Sequence, residues 1–218
     1  MKFFKTIVTL GILVSGFAHA AAFDNLKDDE KATVESGGVA FRAVDDPSSP
    51  LPKFYVYELI DATPEECLAV YVDFPLQKSY VPDMMMSDVE SRPTANSAVV
   101  NFELHTPFPI PNEHYTALVT SSQYDDGASY RADWKLMHAD TTKDTVGTAQ
   151  FEQHGSKTFL AYYNFVTPGS SIAVLIKNRA ASQVKNTVAA YVAQVMSEKS
   201  ENTDLLQRQV SDLEAALK

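Results

Sequence analysis

Apolar and polar positions alternate over most of the middle of the chain. Phe102 and Leu104 alternate with polar residues in the stretch 101–105, and Trp134 and Leu136 alternate with charged residues in the stretch 130–136. A period of two indicates antiparallel strands that have one wet face and one covered face. Six such stretches, separated by Asn, Asp, Gly and Lys turns, lie between residues 85 and 168, and two more are predicted at 37–46 and 53–62.

Two short helices are predicted between the second and third of these strands. Thr63 can cap a helix, Pro64 suits its first position, and Glu66 completes a Thr-x-x-Glu capping box. We expect Pro75 to end this helix and residues 76–81 to form the second one.

A long amphipathic helix is predicted over residues 169–199, where it would span roughly 40 Å at 1.5 Å per residue. Charged residues interrupt the middle of this helix, so it is not predicted to span a membrane. Its apolar stripe consists of Ile172, Ile176, Ala180, Val184, Val188, Tyr191 and Val195.

The C-terminal tail has a heptad pattern. Leu206, Val210, Leu213 and Leu217 follow one another at alternating four- and three-residue steps, over barely two repeats. We therefore expect either weak self-association through residues 203–218 or a helix that folds back or frays.

Three prolines at every second position stand between two of the predicted strands. Pro107, Pro109 and Pro111 cannot belong to a central strand, because proline lacks the backbone donor of the ladder. Phe108 and Ile110 lie between them, so this connection is predicted to be either a stiff apolar lip at one end of the sheet or a plain rigid loop.

The first twenty residues have the pattern of a secretory signal peptide. Lys2 and Lys5 precede a short apolar run, which Ala18 and Ala20 close in a small-x-small arrangement. We expect cleavage after Ala20 and a periplasmic or secreted mature chain, the alternative being an uncleaved anchor.

Charge and cysteine content narrow the class of function. The chain has 18 basic and 28 acidic residues, a net charge of -10, which argues against nucleic-acid binding and against electrostatic docking on anionic lipid. Its single cysteine, Cys67, excludes an internal disulfide and is predicted to be a buried apolar residue.

The order of elements implies a curved sheet held against the last helix. A strongly twisted sheet curls, and only the long C-terminal helix is large enough to cover its concave face. A space between the two that side chains do not fill is a cavity of the kind that binds small apolar ligands.

This order, together with three segments, resembles the StAR-related lipid-transfer (START) domains of the SRPBCC helix-grip superfamily, in their exported bacterial form. The segments are residues 38–84, 105–119 and 162–184. The sequence departs from the family pattern at Glu113-His114, where the family has Arg-Asp, and at Ser170 and Ala173 in the start of the final helix.

The resemblance implies an α+β helix-grip fold. A curved antiparallel sheet of about six to seven strands would wrap around the long C-terminal helix, with two short helices after an early strand. The implied organisation is a signal peptide (1–20), a charged lead-in (21–37), a START-like lipid-binding domain (38–198) and a heptad tail (199–218).

The predicted cavity wall combines one face of several strands with the final helix, the methionine segment and the proline-rich connection. We expect the methionine and proline segments to open and admit a ligand. The predicted lining residues are Met84, Met85, Met86, Val100, Phe102, Leu104, Phe108, Ile110, Tyr115, Ala132, Trp134, Leu136, Leu160, Tyr162, Asn164, Val184 and Val188.

Catalytic patterns are weak throughout. Two acid–histidine pairs could supply metal ligands: Glu103 with His105, and Glu113 with His114. We interpret them instead as solvated polar residues of the strands. An enzyme on this fold would place ionisable or polar groups inside the cavity, and the nominees are Glu58, Asp61, Tyr162 and Asn164.

The sequence therefore predicts a non-enzymatic lipid-binding or lipid-transfer protein that needs no cofactor and no metal. Its ligand would be one hydrophobic molecule: sterol-like, hopanoid-like or fatty-acyl. The alternatives are an interaction module with a filled core and a partner-binding tail, and a cyclase-like enzyme. Nucleic acid is not expected as a partner, and contact with a membrane would be transient.

Overall fold

Eight strands form one antiparallel sheet. The computed structural model describes residues 22–106, 111–169 and 177–218. The strands stand in the order β1-β2-β8-β7-β6-β5-β4-β3. Their bounds are β1 Ala40–Val44, β2 Lys53–Ile60, β3 Met84–Ser91, β4 Ser97–Leu104, β5 Glu113–Tyr124, β6 Ser129–Ala139, β7 Thr142–His154 and β8 Lys157–Pro168.

The predicted α+β helix-grip architecture is confirmed, but the strand count is higher than the six to seven expected. Each of the eight stretches that the sequence pattern predicts as a strand joins the sheet, including those at its two edges. The five-residue β1 and the methionine-containing β3 each pair on one side only, and both belong to the ladder. The apolar faces of the strands meet in one main core on the concave side.

Two short helices, α2 (Pro64–Tyr71) and α3 (Phe74–Tyr80), connect β2 to β3. The capping box is confirmed: the Thr63 side chain accepts a hydrogen bond from the Glu66 amide at 3.1 Å, and Glu66 accepts from the Thr63 amide at 2.8 Å. The expectation that Pro75 ends the first helix is wrong. Pro75 lies in the first turn of α3. A backbone N–H at this position makes no hydrogen bond within the helix, so proline, which lacks it, fits there.

The long helix α4 (Lys177–Glu201) lies on the concave face. Val184, Val188, Tyr191 and Val195 of the predicted stripe are buried there. The Tyr191 hydroxyl donates to the Cys67 carbonyl oxygen at 2.6 Å and thus ties α4 to α2. Ile172 and Ile176 of the predicted stripe lie outside the described residues. Among the residues that are described, no helix is long and apolar enough to cross a membrane.

The tail forms a further helix, α5 (Thr203–Leu217), which folds back against α2. Leu206 and Leu213 are buried in the main core, and Val210 and Leu217 pack on it. The heptad side chains are thus used within the chain, as in the folded-back alternative. Self-association through these four side chains would require α5 to leave this contact.

The convex face of the sheet has a smaller core of its own. The helix α1 (Asp28–Glu35) and a 3₁₀ turn at Ala22–Asn25 precede β1. Leu26 and Val34 pack there against Tyr57 and Phe159 of the sheet. Residues of the predicted lead-in therefore share a core with the START-like sheet.

Candidate functional site

A cavity of about 350 Å³ lies between the concave face of the sheet, the α2–α3 segment and the first half of α4. Its wall is mainly aliphatic and aromatic. The predicted residues that line it are Met84, Phe102, Leu104, Tyr115, Trp134, Leu160, Tyr162, Asn164, Val184 and Val188.

Five predicted residues do not line this cavity. Val100 and Ala132 are completely buried in the closed part of the core. Met85 is 52% exposed, because adjacent strand residues point to opposite faces and Met84 takes the inner one. Met86 follows a register shift in β3 that breaks the alternation, and Leu136 is only half-buried. Phe108 and Ile110 lie outside the described residues.

Sequence reasoning missed the contributions of the helices to the cavity wall. Tyr71 from α2 and Tyr80 from α3 line it, as do Gln183 and Thr187 from α4. Gln183 and Thr187 each precede a predicted stripe residue, Val184 and Val188, so helical spacing could have indicated them. Tyr71 follows the helical spacing of α2, but neither it nor Tyr80 could be assigned to the cavity from the sequence, because α2 and α3 reach the cavity only through the tertiary fold.

Trp134, the only tryptophan of the chain, is at the centre of the aromatic wall. Its ring centroid is 5.4 Å from that of Tyr162 and 6.2 Å from that of Tyr71. The indole lies directly over Gly147 of β7, where a Cβ atom would come within 2.0 Å of the ring. Gly147 is therefore the residue that lets the indole lie along the sheet.

The charged and imidazole groups in the described wall lie at one end of the cavity, where β4 ends and β5 and α4 begin. Each has a partner there. Arg179 approaches Asp83 at 3.4 Å, Glu113 accepts from the Thr142 amide at 2.9 Å, and His105 lies 3.2 Å from Asn112. This end is polar, and the remainder of the described wall is apolar with neutral polar groups.

The nominated catalytic carboxylates are not in the described cavity wall. The Asp61 side chain is 68% exposed. Glu58 lies on the concave face of β2 beneath α4, and burial raises its pKa to about 7. The two remaining nominees, Tyr162 and Asn164, do line the cavity.

The candidate metal pairs are arranged differently from the sequence expectation. Glu103 lies across the β4–β5 ladder from His114, at 3.6 Å, and Glu113 binds the β6–β7 turn through Thr141 and Thr142. Within the described ranges, no three His, Cys, Asp or Glu side chains come together as a metal site. Cys67 is buried, and burial raises the pKa of its thiol to about 12.

A second hollow, of about 580 Å³, lies between the α2–α3 segment, the β3–β4 turn and α5. Asp73, Arg92 and Asp212 stand among small apolar residues in its wall. The convergent aromatic groups are in the smaller cavity, so we place the candidate site there.

Comparison of the sequence with known proteins finds no matching family model and no matching curated protein. Solved structures do match. A StAR-related lipid transfer protein from Xanthomonas axonopodis aligns over 72% of this chain and 92% of its own at 16% identity, with a TM-score of 0.63. Human StAR-related lipid transfer protein 5 aligns over 74% and 83% at 12% identity, with a TM-score of 0.62.

An aromatase/cyclase from a Streptomyces species aligns over 69% of this chain and 96% of its own at 10% identity, with a TM-score of 0.52. At these identities the likeness establishes the fold. The chain has the START-like helix-grip fold, which is shared by lipid-transfer proteins and by at least one enzyme.

Proposed function

We propose that this protein is an exported carrier that holds one hydrophobic molecule, of lipid character, between the sheet and α4. The observation that carries the proposal is the 350 Å³ cavity with its aromatic wall around Trp134. Burial of apolar ligand surface there contributes about 25 cal/mol per Å² to binding. The similar solved structures include lipid-transfer proteins, which supports the proposal.

We infer binding without turnover from the distribution of charge in the cavity. The ionisable groups at its polar end are held by Asp83, Asn112 and the β6–β7 turn, and Glu58 lies outside the described wall. General-base catalysis needs a group that is free to accept a proton from the substrate, and the tyrosine hydroxyls of the wall stay protonated at neutral pH because burial raises their pKa. The shared fold of the Streptomyces aromatase/cyclase favours a cyclase-like enzyme as the second candidate.

The test is a pair of matched substitutions on β6. Trp134→Asp places a carboxylate in the apolar wall, whereas Met137→Asp places one on a side chain that is 57% exposed. We expect the wild-type protein and the Met137→Asp variant, purified mildly from the envelope, to yield one stoichiometric hydrophobic molecule by organic extraction and mass spectrometry. The Trp134→Asp variant should lose it while keeping its circular dichroism spectrum.

Two results would speak against the proposal. A folded Trp134→Asp variant that retains the same amount of ligand would exclude this cavity as the site. A turnover product in place of an unchanged lipid would favour the cyclase-like enzyme. Intact mass of the purified chain tests export, because removal of residues 1–20 should leave a protein that begins at Ala21.

A further inference from the structure

Three tyrosine side chains reach the cavity from three different elements. Tyr71 ends α2, Tyr115 lies near the start of β5, and Tyr162 lies in the middle of β8. Electrostatic contact with Tyr162 and with Tyr115 adds to the raised pKa of Tyr71, and contact with Tyr162 adds to that of Tyr115. All three line the same cavity, and the rings of Tyr71 and Tyr162 flank Trp134 at 6.2 Å and 5.4 Å.

All three side chains line the cavity, and their hydroxyls have no hydrogen-bond partner among the described residues. The protein encloses them, since desolvation is the main cause of the raised pKa of each. The side chains nevertheless keep some accessible surface, which is the surface of the cavity. Tyr191 shows the contrast, because its hydroxyl already donates to the Cys67 carbonyl oxygen at 2.6 Å.

A hydroxyl that lines an apolar cavity and has no protein partner is available to a ligand, which gains a hydrogen bond by pairing with it. The phenol group donates readily, and its raised pKa keeps it protonated at neutral pH. A ligand oxygen that accepts hydrogen bonds is therefore the natural complement. A carboxylate is not, because the cation of the described wall, Arg179, is already next to Asp83 and a buried anion would stay uncompensated.

We infer that Tyr71, Tyr115 and Tyr162 form a donor site for the carbonyl or ester oxygen of a neutral hydrophobic ligand. This inference rests on the proposed carrier function and narrows its cargo to uncharged molecules with a buried carbonyl group. At a packing density of about 0.74, a cavity of 350 Å³ leaves about 260 Å³ for ligand atoms. The cargo, or the part of it that enters, is therefore small.

The test compares probes of similar size and different polarity. Methyl laurate and 2-tridecanone carry a neutral carbonyl, dodecane carries none, and laurate is anionic at neutral pH. Trp134 reports occupation directly, because it is the only tryptophan and lies beside Tyr71 and Tyr162. We expect the two carbonyl probes to bind about tenfold or more tightly than dodecane and laurate in fluorescence titrations of the ligand-free protein.

Phenylalanine substitutions test the hydroxyls themselves. In the triple variant Tyr71→Phe, Tyr115→Phe, Tyr162→Phe, the affinity for methyl laurate should fall to that for dodecane, with dodecane binding unchanged. Tyr163→Phe is the matched control, because this neighbour of Tyr162 on β8 faces the convex side and contacts Tyr55. If the triple variant does not fold, the three single variants and the wild-type probe series give the same comparison.

The outcomes separate this inference from the carrier function. Equal affinity for methyl laurate and dodecane, a preference for laurate, or an unchanged ester affinity in the triple variant would overturn the donor site and leave the carrier intact. If none of the probes alters Trp134 fluorescence and organic extraction of the protein yields no ligand, the carrier function fails together with the donor site.

Discussion

Trp134 and Gly147 are a matched pair of residues on neighbouring strands. They stand opposite each other in the β6–β7 ladder, and the large side chain occupies the space that the glycine leaves. A Cβ atom at position 147 would lie 2.0 Å from the indole and 2.4 Å from the Tyr163 carbonyl oxygen. The shape of the cavity wall therefore depends on the absence of one methyl group.

We expect Gly147→Ala to lower the free energy of unfolding by about 2 kcal/mol or more, because both the indole and the strand backbone must shift. Trp134 fluorescence should change in the same variant, and urea denaturation measures the loss of stability. The adjacent Val146→Ala is the control: Val146 faces outward, is 37% exposed, and should cost about 0.5 kcal/mol or less. Equal stability of the two variants would show that the indole is not held as described.

Glu58 is the other residue whose environment has a measurable consequence. It shares the concave face of β2 with the buried Val56 and Ile60, opposite Leu160. Its Oε1 atom is buried without a hydrogen-bond partner in the described structure. The lysines of α4 that reach this region bind elsewhere: Lys185 lies 5.1 Å from the Phe41 ring centre, and Lys199 donates to the Asp61 carbonyl oxygen.

Stability should therefore depend on pH through Glu58. Desolvation raises its pKa from 4.5 to about 7, so the folded state binds the proton more tightly than the unfolded state. This contribution is fully present below pH 4.5 and is lost as pH rises to about 7, by at most about 3 kcal/mol. Glu58→Gln should match the wild-type free energy of unfolding in acid and exceed it above neutral pH.

Urea denaturation at several pH values measures this difference, and the exposed Glu90→Gln on β3 serves as its control. A Glu58→Gln variant that is less stable than the wild type above pH 7 would contradict the assignment. That outcome would mean that the ionised carboxylate has a stabilising partner.

At the scale of elements, α5 decides how the helical layer is completed. It packs against α2 and buries Leu206 and Leu213 in the same core that the sheet and α4 share. The sequence left this helix open between self-association and folding back, since two heptads fit either outcome. The choice depended on whether α2 offered an apolar face, which the short α2 pattern alone could not establish.

Truncation of the buried leucines of α5 should therefore lower the stability of the whole domain. We expect Leu213→Ala to lower the free energy of unfolding by about 2–5 kcal/mol, as for other buried leucines. Gln207→Ala, at an exposed position of the same helix, should have little effect. A Leu213→Ala variant with wild-type stability would mean that α5 is detached in solution and free to bind a partner.

At the scale of the whole molecule, net charge bears on how the cargo would be exchanged. The chain carries a net charge of -10, and none of its described helices is suited to cross a membrane. Net charge of this sign disfavours long-range attraction to an anionic bilayer, so a carrier of the kind proposed would meet lipid through short-range apolar surface. This agrees with the proposal of a carrier that meets membranes transiently.

We expect a fluorescent lipid analogue, loaded into the cavity, to transfer more slowly to anionic phosphatidylglycerol vesicles than to neutral phosphatidylcholine vesicles at low salt. The difference should vanish near 1 M salt, where the screening length falls to about 3 Å. Faster transfer to the anionic vesicles would contradict this expectation and point to a local basic contact surface.

The sequence by itself determined those features that depend on neighbours along the chain. Alternation of Phe102 and Leu104 with polar residues identified a strand and its inner face, and Thr63 with Glu66 identified the start of α2. Local sterics and hydrogen bonds decide such features, so a short window of sequence contains the information. The order of these elements along the chain then indicated a curved sheet held against the last helix, and the resemblance to START domains agreed with that arrangement.

Only the tertiary structure decided which side chains share the cavity. Tyr71 shares the cavity wall with Tyr162 because α2 packs on β6, β7 and β8, and Met86 leaves the inner face because β3 contains a register shift. These outcomes depend on contacts between residues far apart in sequence and on the way each strand pairs with its neighbour. No local pattern records them, because a cavity is the space that separate elements leave between one another.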